Sequence, residues 1–329
     1  MHVHAGWLVP SFTARGFRLA CDRLREAVAQ REAKGSTLGK HPRRRAAAVE
    51  FIGRALGTGA TPVFVVAEKR FCIVAKMVEA FADPFYNPEA AWIPTGADDL
   101  RKSICEALLC ILSPRTLEAF SNAQRDPTVE SFRAVLESIV FACRFAGIDE
   151  LAATFAGCIP GLAEVVDAER SVAVGSRKHA STAVNLFAFV AFMMQADQHI
   201  EQGLRAPVRL VHDESLEFED AFRAVHELFR GSSALYAPYL LESGQAPRLG
   251  VQYLRELRMA PSNVIPELQG SDMLAAVLRE VARDAAAGIA NDLYQPACGL
   301  VGAAFPRRAR FNIIGSSAFI HTFTRAFAA

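Results

Sequence analysis

Two short stretches decide the architecture: VFVVA at 63–67, held between Gly57, Gly59 and Pro62 on one side and Glu68 on the other, and VRLVH at 208–212, introduced by Pro207. Five apolar residues between breakers suit a strand covered on both faces. The second run is followed by Asp213 and Glu214 and then by an amphipathic pattern from Ser215 to about Phe229. Outward from these, the chain begins with a weakly alternating strand that ends at Leu8-Val9-Pro10. Ser11 is placed to cap a helix running to about Ala33, with Phe17, Leu19, Ala20, Leu24 and Val28 along one stripe. A second helix opens at KHPRRR (40–45) and runs to Leu56. A further strand is expected at Val251 to Arg258, and a helix from about Leu268 to Ala287. Strands alternating with helices give an α/β layer.

Between Phe71 and Leu204 the helical period dominates, as in Phe132, Val135, Leu136, Ile139 and Val140. Four segments follow: a first part of the core at 1–70, a helical insertion at 71–205, a second part of the core at 206–290, and an apolar tail at 291–329. Strands so far apart can still be neighbours, because loop-closure entropy grows only logarithmically with length. The tail, left exposed, would be sticky, so it should dock on the body or on another subunit.

Composition narrows the function. The 329 residues are 51% hydrophobic and 22% charged, which excludes a disordered chain. Lys and Arg number 36 against 35 Asp and Glu. A net charge of +1 excludes a polycation that holds nucleic acid by bulk charge, and leaves local charge open. The seven cysteines are scattered and contain no Cys-x-x-Cys pair, as expected of small hydrophobes in a reducing compartment. The longest apolar run, 183–196, is broken by Asn185 and Gln195 and reads as a buried helix rather than a membrane span. The start lacks the pattern of a secretory signal, so the expected location is cytoplasmic. Phosphate-loop, dinucleotide-turn, nucleophile-elbow and helical zinc motifs are all absent from the sequence.

The acids carry the remaining information. Glu68 follows the first core strand and Asp213 the second, at carboxyl ends where open α/β sheets place their ligands. Asp272 lies in ELQGSDMLAA (267–276) near a helix start, and Glu32 closes the first helix. Two carboxylates ~4 Å apart repel by about 4 kcal/mol at an effective dielectric near 20. They must protonate, pair with a cation, or hold a metal such as Mg²⁺, which accepts a few carboxylates and keeps positions for water and phosphate. Taken singly, each acid is also accounted for by local pairing: Glu68 with Lys69 or Arg70, Asp213 as a helix cap. Arg43, Arg44 and Arg45 are candidate nucleic-acid contacts, a role that a solvated helix face explains equally well. His212 is placed either to orient a water or a carboxylate, or as a structural histidine.

The stretches GWLVP (6–10), EAKGS (32–36), VVAEKRF (65–71) with VEAFADPFYN (78–87), VHDES (211–215) and ELQGSDMLAA (267–276) resemble, in order, the prokaryotic family called domain of unknown function 3800. The resemblance implies a ribonuclease-H-like mixed sheet flanked by helices. It also implies a nuclease-like acidic site drawn from Glu32, Glu68, Asp213 and Asp272. Such a site would cleave phosphodiesters with Mg²⁺ or Mn²⁺, with Asp213, Asp272 and Glu68 as its metal ligands. The alternative is a non-catalytic relative that binds nucleic acid or protein through the same groove. The family opens with a strand ending in Asp-Glu-Ser-Gly, whereas here only five residues, none acidic, precede Gly6. The expectation is that the chain begins at the family's second strand. Either it starts upstream of Met1, or that strand has been lost. Loss would predict an inactive protein that self-associates through an unpaired sheet edge.

Overall fold

A computed structural model describes residues 1–28, 42–84, 86–90, 98–172, 184–203, 205–214, 218–231, 250–287, 289, 291–304 and 313–327. The architecture is mixed α/β. In chain order the elements are β1 (His2–Leu8), α1 (Ala14–Val28), α2 (Pro42–Gly57), β2 (Thr61–Ala67), α3 (Lys69–Ala82) and α4 (Asp98–Ile111). Next come α5 (Pro114–Arg125), α6 (Val129–Phe145), α7 (Asp149–Gly157), α8 (Leu162–Val172), α9 (Val184–Gln202) and β3 (Val208–Asp213). The chain finishes with α10 (Glu219–Gly231), β4 (Leu254–Ala260), α11 (Pro266–Ala286), α12 (Tyr294–Ala304), β5 (Ile313–Ile314) and α13 (Ser317–Phe327).

The described strands form two sheets where one mixed sheet was expected. The first has the order β1-β2-β5: β1 runs antiparallel to β2 with His4 opposite Val65, and β5 lies parallel to β2 with Val66 opposite Ile313. The second is the parallel pair β3-β4, joined across α10, with a register shift between Val208 and Arg209. β2 is the strand buried on both faces that its apolar run implies. Phe64 and Val66 belong to a core built with α1, α2 and α11, while Val63 and Val65 belong to one built with α9, α10, β3 and β4.

Two glycines let elements approach closely. A Cβ on Gly270 of α11 would lie 2.8 Å from the Phe51 ring and 3.2 Å from Cys21 Sγ, so glycine here lets α11 settle onto α1 and α2. A Cβ on Gly6 would lie 2.7 Å from the Phe192 ring, so β1 touches α9 where the side chain is missing. The Trp7 indole N–H donates to the Gly270 carbonyl at 3.2 Å and locks β1 to α11.

The helices from α3 to α8 enclose a third core, running from Phe71 to Val166, around Phe81, Phe120 and Phe132. The helical segment therefore closes on itself earlier than expected. α9, the apolar run near its end, leaves that block and packs on the sheets through Ala188, Phe189 and Met193. The tail docks on the body. β5 extends the first sheet, and Phe323 of α13 is buried with Leu293 and Ala297 near α12. Among the described residues no single helix is long and apolar enough to cross a membrane. All seven cysteines are free. Burial pushes the Cys21 and Cys105 thiols up to about 12 and those of Cys72 and Cys143 to about 11, so these four stay protonated packing groups.

Candidate functional site

A groove of about 810 Å³ lies between β1 and β3. Consecutive residues Val3–Val9 line one wall and Val208–Asp213 the other, with Phe192 and Ala196 of α9 on one side and Ser271 and Ala275 of α11 on the opposite side. Even-numbered residues of β1 face α9, because period-2 geometry sends His4 and Gly6 to the Phe192 ring while Val3, Ala5 and Trp7 join the core with α11.

The α9 side is aromatic. The rings of His4 and His212 lie 5.2 Å apart, His4 is 4.9 Å from Phe192, and Phe222 stacks on Phe189 at 4.2 Å. Burial holds His4 well below the ordinary imidazole range, helped by His212 and His2 beside it. Burial also lowers His212 against the raising effect of Asp213, while His2, desolvated and next to Lys69 and Arg279, falls to about 4. All three rings are neutral at pH 7. His212 Nδ1 lies 2.7 Å from the Asp213 carbonyl oxygen, so a structural contact accompanies its place in the groove.

Two of the carboxylates expected to converge line the same groove. Asp213 and Asp272 both line the groove and both are exposed, at the end of β3 and in the second turn of α11. Asp213 Oδ1 accepts the Ser262 N–H at 3.0 Å, which ties it to the loop after β4. Glu68 does not line the groove. Its Oε2 accepts the Ser316 N–H at 2.9 Å and hydroxyl at 2.7 Å, while Glu106 accepts the Ser317 N–H at 2.7 Å. Two carboxylates thus meet the orphan amides at the start of α13, where helix N-termini favour negative charge. The sequence signal was Gly-Ser-Ser (315–317) before an apolar run, a cap signature whose partners lie over 200 residues away. Glu32 lies outside the described residues.

Of the three arginines proposed for nucleic acid, Arg45 is committed elsewhere. Its guanidinium donates to Glu280, Asn291 and Asp292, tying α2 to α11 and the segment before α12. Arg43 is exposed and Arg44 half-buried. Arg258, exposed on β4, lines the groove instead.

Among the described residues no three His, Cys, Asp or Glu side chains gather to hold a metal ion. Asp213 and Asp272 line the groove, and Mg²⁺ is commonly bound through one or two carboxylates while keeping its waters. No family model matches the chain, and no curated protein or solved structure does either. The stretches that carry the resemblance fall in β1, at the β2–α3 junction, at the end of β3 and in α11, with EAKGS outside the described residues.

Proposed function

We propose that the β1–β3 groove is a nuclease-like site of ribonuclease-H-like ancestry, in which Asp213 and Asp272 hold one Mg²⁺ or Mn²⁺ against a phosphodiester. The observation that carries this is that two of the four candidate acids, from elements far apart in sequence, line the same groove. Such an ion would neutralise phosphate charge and acidify a bound water. The chain supplies the rest. Ser262 orients the Asp213 carboxylate, and Arg258 stands at the wall for a phosphate oxygen. His4 and His212, neutral, line the groove without adding positive charge.

The second reading, binding without cleavage, is favoured by one observation: Glu68, the expected third ligand, is engaged by Ser316. Thermal melting separates the possibilities. Mn²⁺ or Mg²⁺ should raise Tm by mass action, and Asp213→Asn with Asp272→Asn should abolish the rise. A rise together with metal-dependent cleavage of nucleic acid supports the nuclease; a rise without cleavage supports binding alone. An unchanged metal response in the double variant rejects the site.

A further inference from the structure

We infer that His4 of β1 and His212 of β3 form a two-histidine site for a borderline transition-metal ion of the Zn²⁺ class, which fastens the first sheet to the second and keeps open positions for water or a ligand oxygen.

The two rings belong to strands of different sheets, yet their centroids lie 5.2 Å apart with the planes tilted by 33°. At metal–nitrogen distances of about 2.0–2.1 Å, two imidazoles held at the tetrahedral angle have centroids roughly 5 Å apart. The pair already stands at the spacing that one shared ion imposes. Both rings line the groove, which gives such an ion a way in.

Hydrogen bonding separates these rings from a merely packed pair. His212 Nδ1 meets the Asp213 carbonyl oxygen at 2.7 Å, and a carbonyl can only accept. The neutral ring therefore carries its proton on Nδ1 and its lone pair on Nε2. A backbone carbonyl holding the other ring N–H is the arrangement that orients metal-ligating histidines. His4 makes no hydrogen bond among the described residues. Its neighbours are instead the rings of Phe192 at 4.9 Å, Phe189 at 5.7 Å and Phe222 at 6.4 Å. Ring nitrogens in such apolar company are costly to leave unmet. His226 is the contrast: it is also buried, but its Nε2 lies 3.1 Å from the Leu254 carbonyl oxygen, as in a satisfied structural histidine. Burial keeps His4 and His212 unprotonated, which is the form that binds metal. Imidazole ligands favour Zn²⁺ or Co²⁺, whereas carboxylates favour Mg²⁺, so this site does not rest on the Asp213–Asp272 reading.

The test uses the whole chain, stripped of transition metal and kept in excess Mg²⁺ so that acidic sites are already supplied. Added Co²⁺ should give the visible bands of a tetrahedral ion, and Zn²⁺ should displace them. In the unaltered chain Zn²⁺ should shift the ring-nitrogen NMR resonances of His4 and His212 together and leave those of His226 in place. His4→Phe and His212→Phe keep an aromatic ring in the packing, and each should weaken Co²⁺ binding at least about tenfold. His2→Phe should not, although His2 lies 6.4 Å from His4. Absence of the tetrahedral bands, undiminished binding in either the His4 or the His212 variant, or a ring shift at only one of the two overturns the inference. Should a variant misfold, the resonances of the unaltered chain decide. The Mg²⁺-dependent rise in Tm can persist when Co²⁺ fails to bind, and can be missing when Co²⁺ binds, so the two sites stand or fall separately.

Discussion

Inside the helical block, Phe81, Phe120 and Phe132 meet edge to face at 5.7 to 6.0 Å, each with essentially no exposed surface. Across the molecule, Phe189, Phe192, Phe222, His4 and His212 form a second aromatic assembly with comparable spacings, yet it borders a cavity of about 810 Å³. The block closes because every wall is a helix with its backbone bonds satisfied internally, so side chains alone must fit. The groove stays open because two of its walls are strand edges that no described strand joins. Sealed aromatic packing gives stability, whereas the second assembly leaves a groove with titratable rings at its border.

The largest effect should come from breaking the sealed half. Phe132→Ala removes a ring with no exposed surface and should cost about 3–5 kcal/mol in denaturant unfolding. Phe192→Ala, beside an existing cavity, should cost less because it enlarges a space that solvent or ligand already enters. Equal losses would mean that the groove is packed as tightly as the block.

Next is Asp197→Ala. The carboxylate is buried and accepts three backbone N–H groups at 2.6 to 3.0 Å at the start of β4. Leaving those donors unmet should cost about 2–4 kcal/mol, since each buried orphan costs about 1–3. Exchange should quicken in β4 before it does in α6. A uniform response across both halves would show that the halves unfold as one unit.

Acid should separate the halves in a way no substitution does. The residues from Lys69 to Val172 include no histidine, whereas β1 and β3 contribute His2, His4 and His212. The charged groups facing them are Lys69, Arg279 and the chain amine at His2, and Asp213 at His212. All three rings titrate lower in the fold than their ordinary value near 6.5, chiefly by burial. Below pH 6.5 the unfolded chain therefore binds more protons than the folded one, so stability is full above 6.5 and falls as pH drops toward about 4. Trp7 fluorescence, reporting the groove, should change at higher pH than the exchange protection of α5 and α6. Loss of both at one pH would remove the distinction.

How much of this was legible follows the range of the contacts. β2 was readable because Val63 to Ala67 are apolar without a break, and α9 because its run was too short and too interrupted for a bilayer. Asp213 and Asp272 line one groove, and their positions after a core strand and near a helix start were readable locally. Glu68 has the same local appearance after a core strand, but it lies outside the groove, and only the fold brings Ser316 to it. The pairing of Arg45 had no local signal either, since Glu280 and Asp292, its partners, lie more than 230 residues away. The division into two sheets had no local signal, because β1, β2 and β3 look alike whether or not a strand lies between them.

The smallest effect belongs to Arg209→Ala. Arg209 on β3 pairs with Glu256 on β4 at 2.7 Å, with both side chains more than half exposed. An ion pair so solvated is worth less than about 1 kcal/mol, and added salt should weaken it further. Arg209 also borders the groove, and period-2 geometry turns it away from the α9 side that holds Leu210 and His212. Truncation should therefore leave stability nearly unchanged in denaturant unfolding. A loss well above about 1 kcal/mol would show that the pair is shielded from solvent.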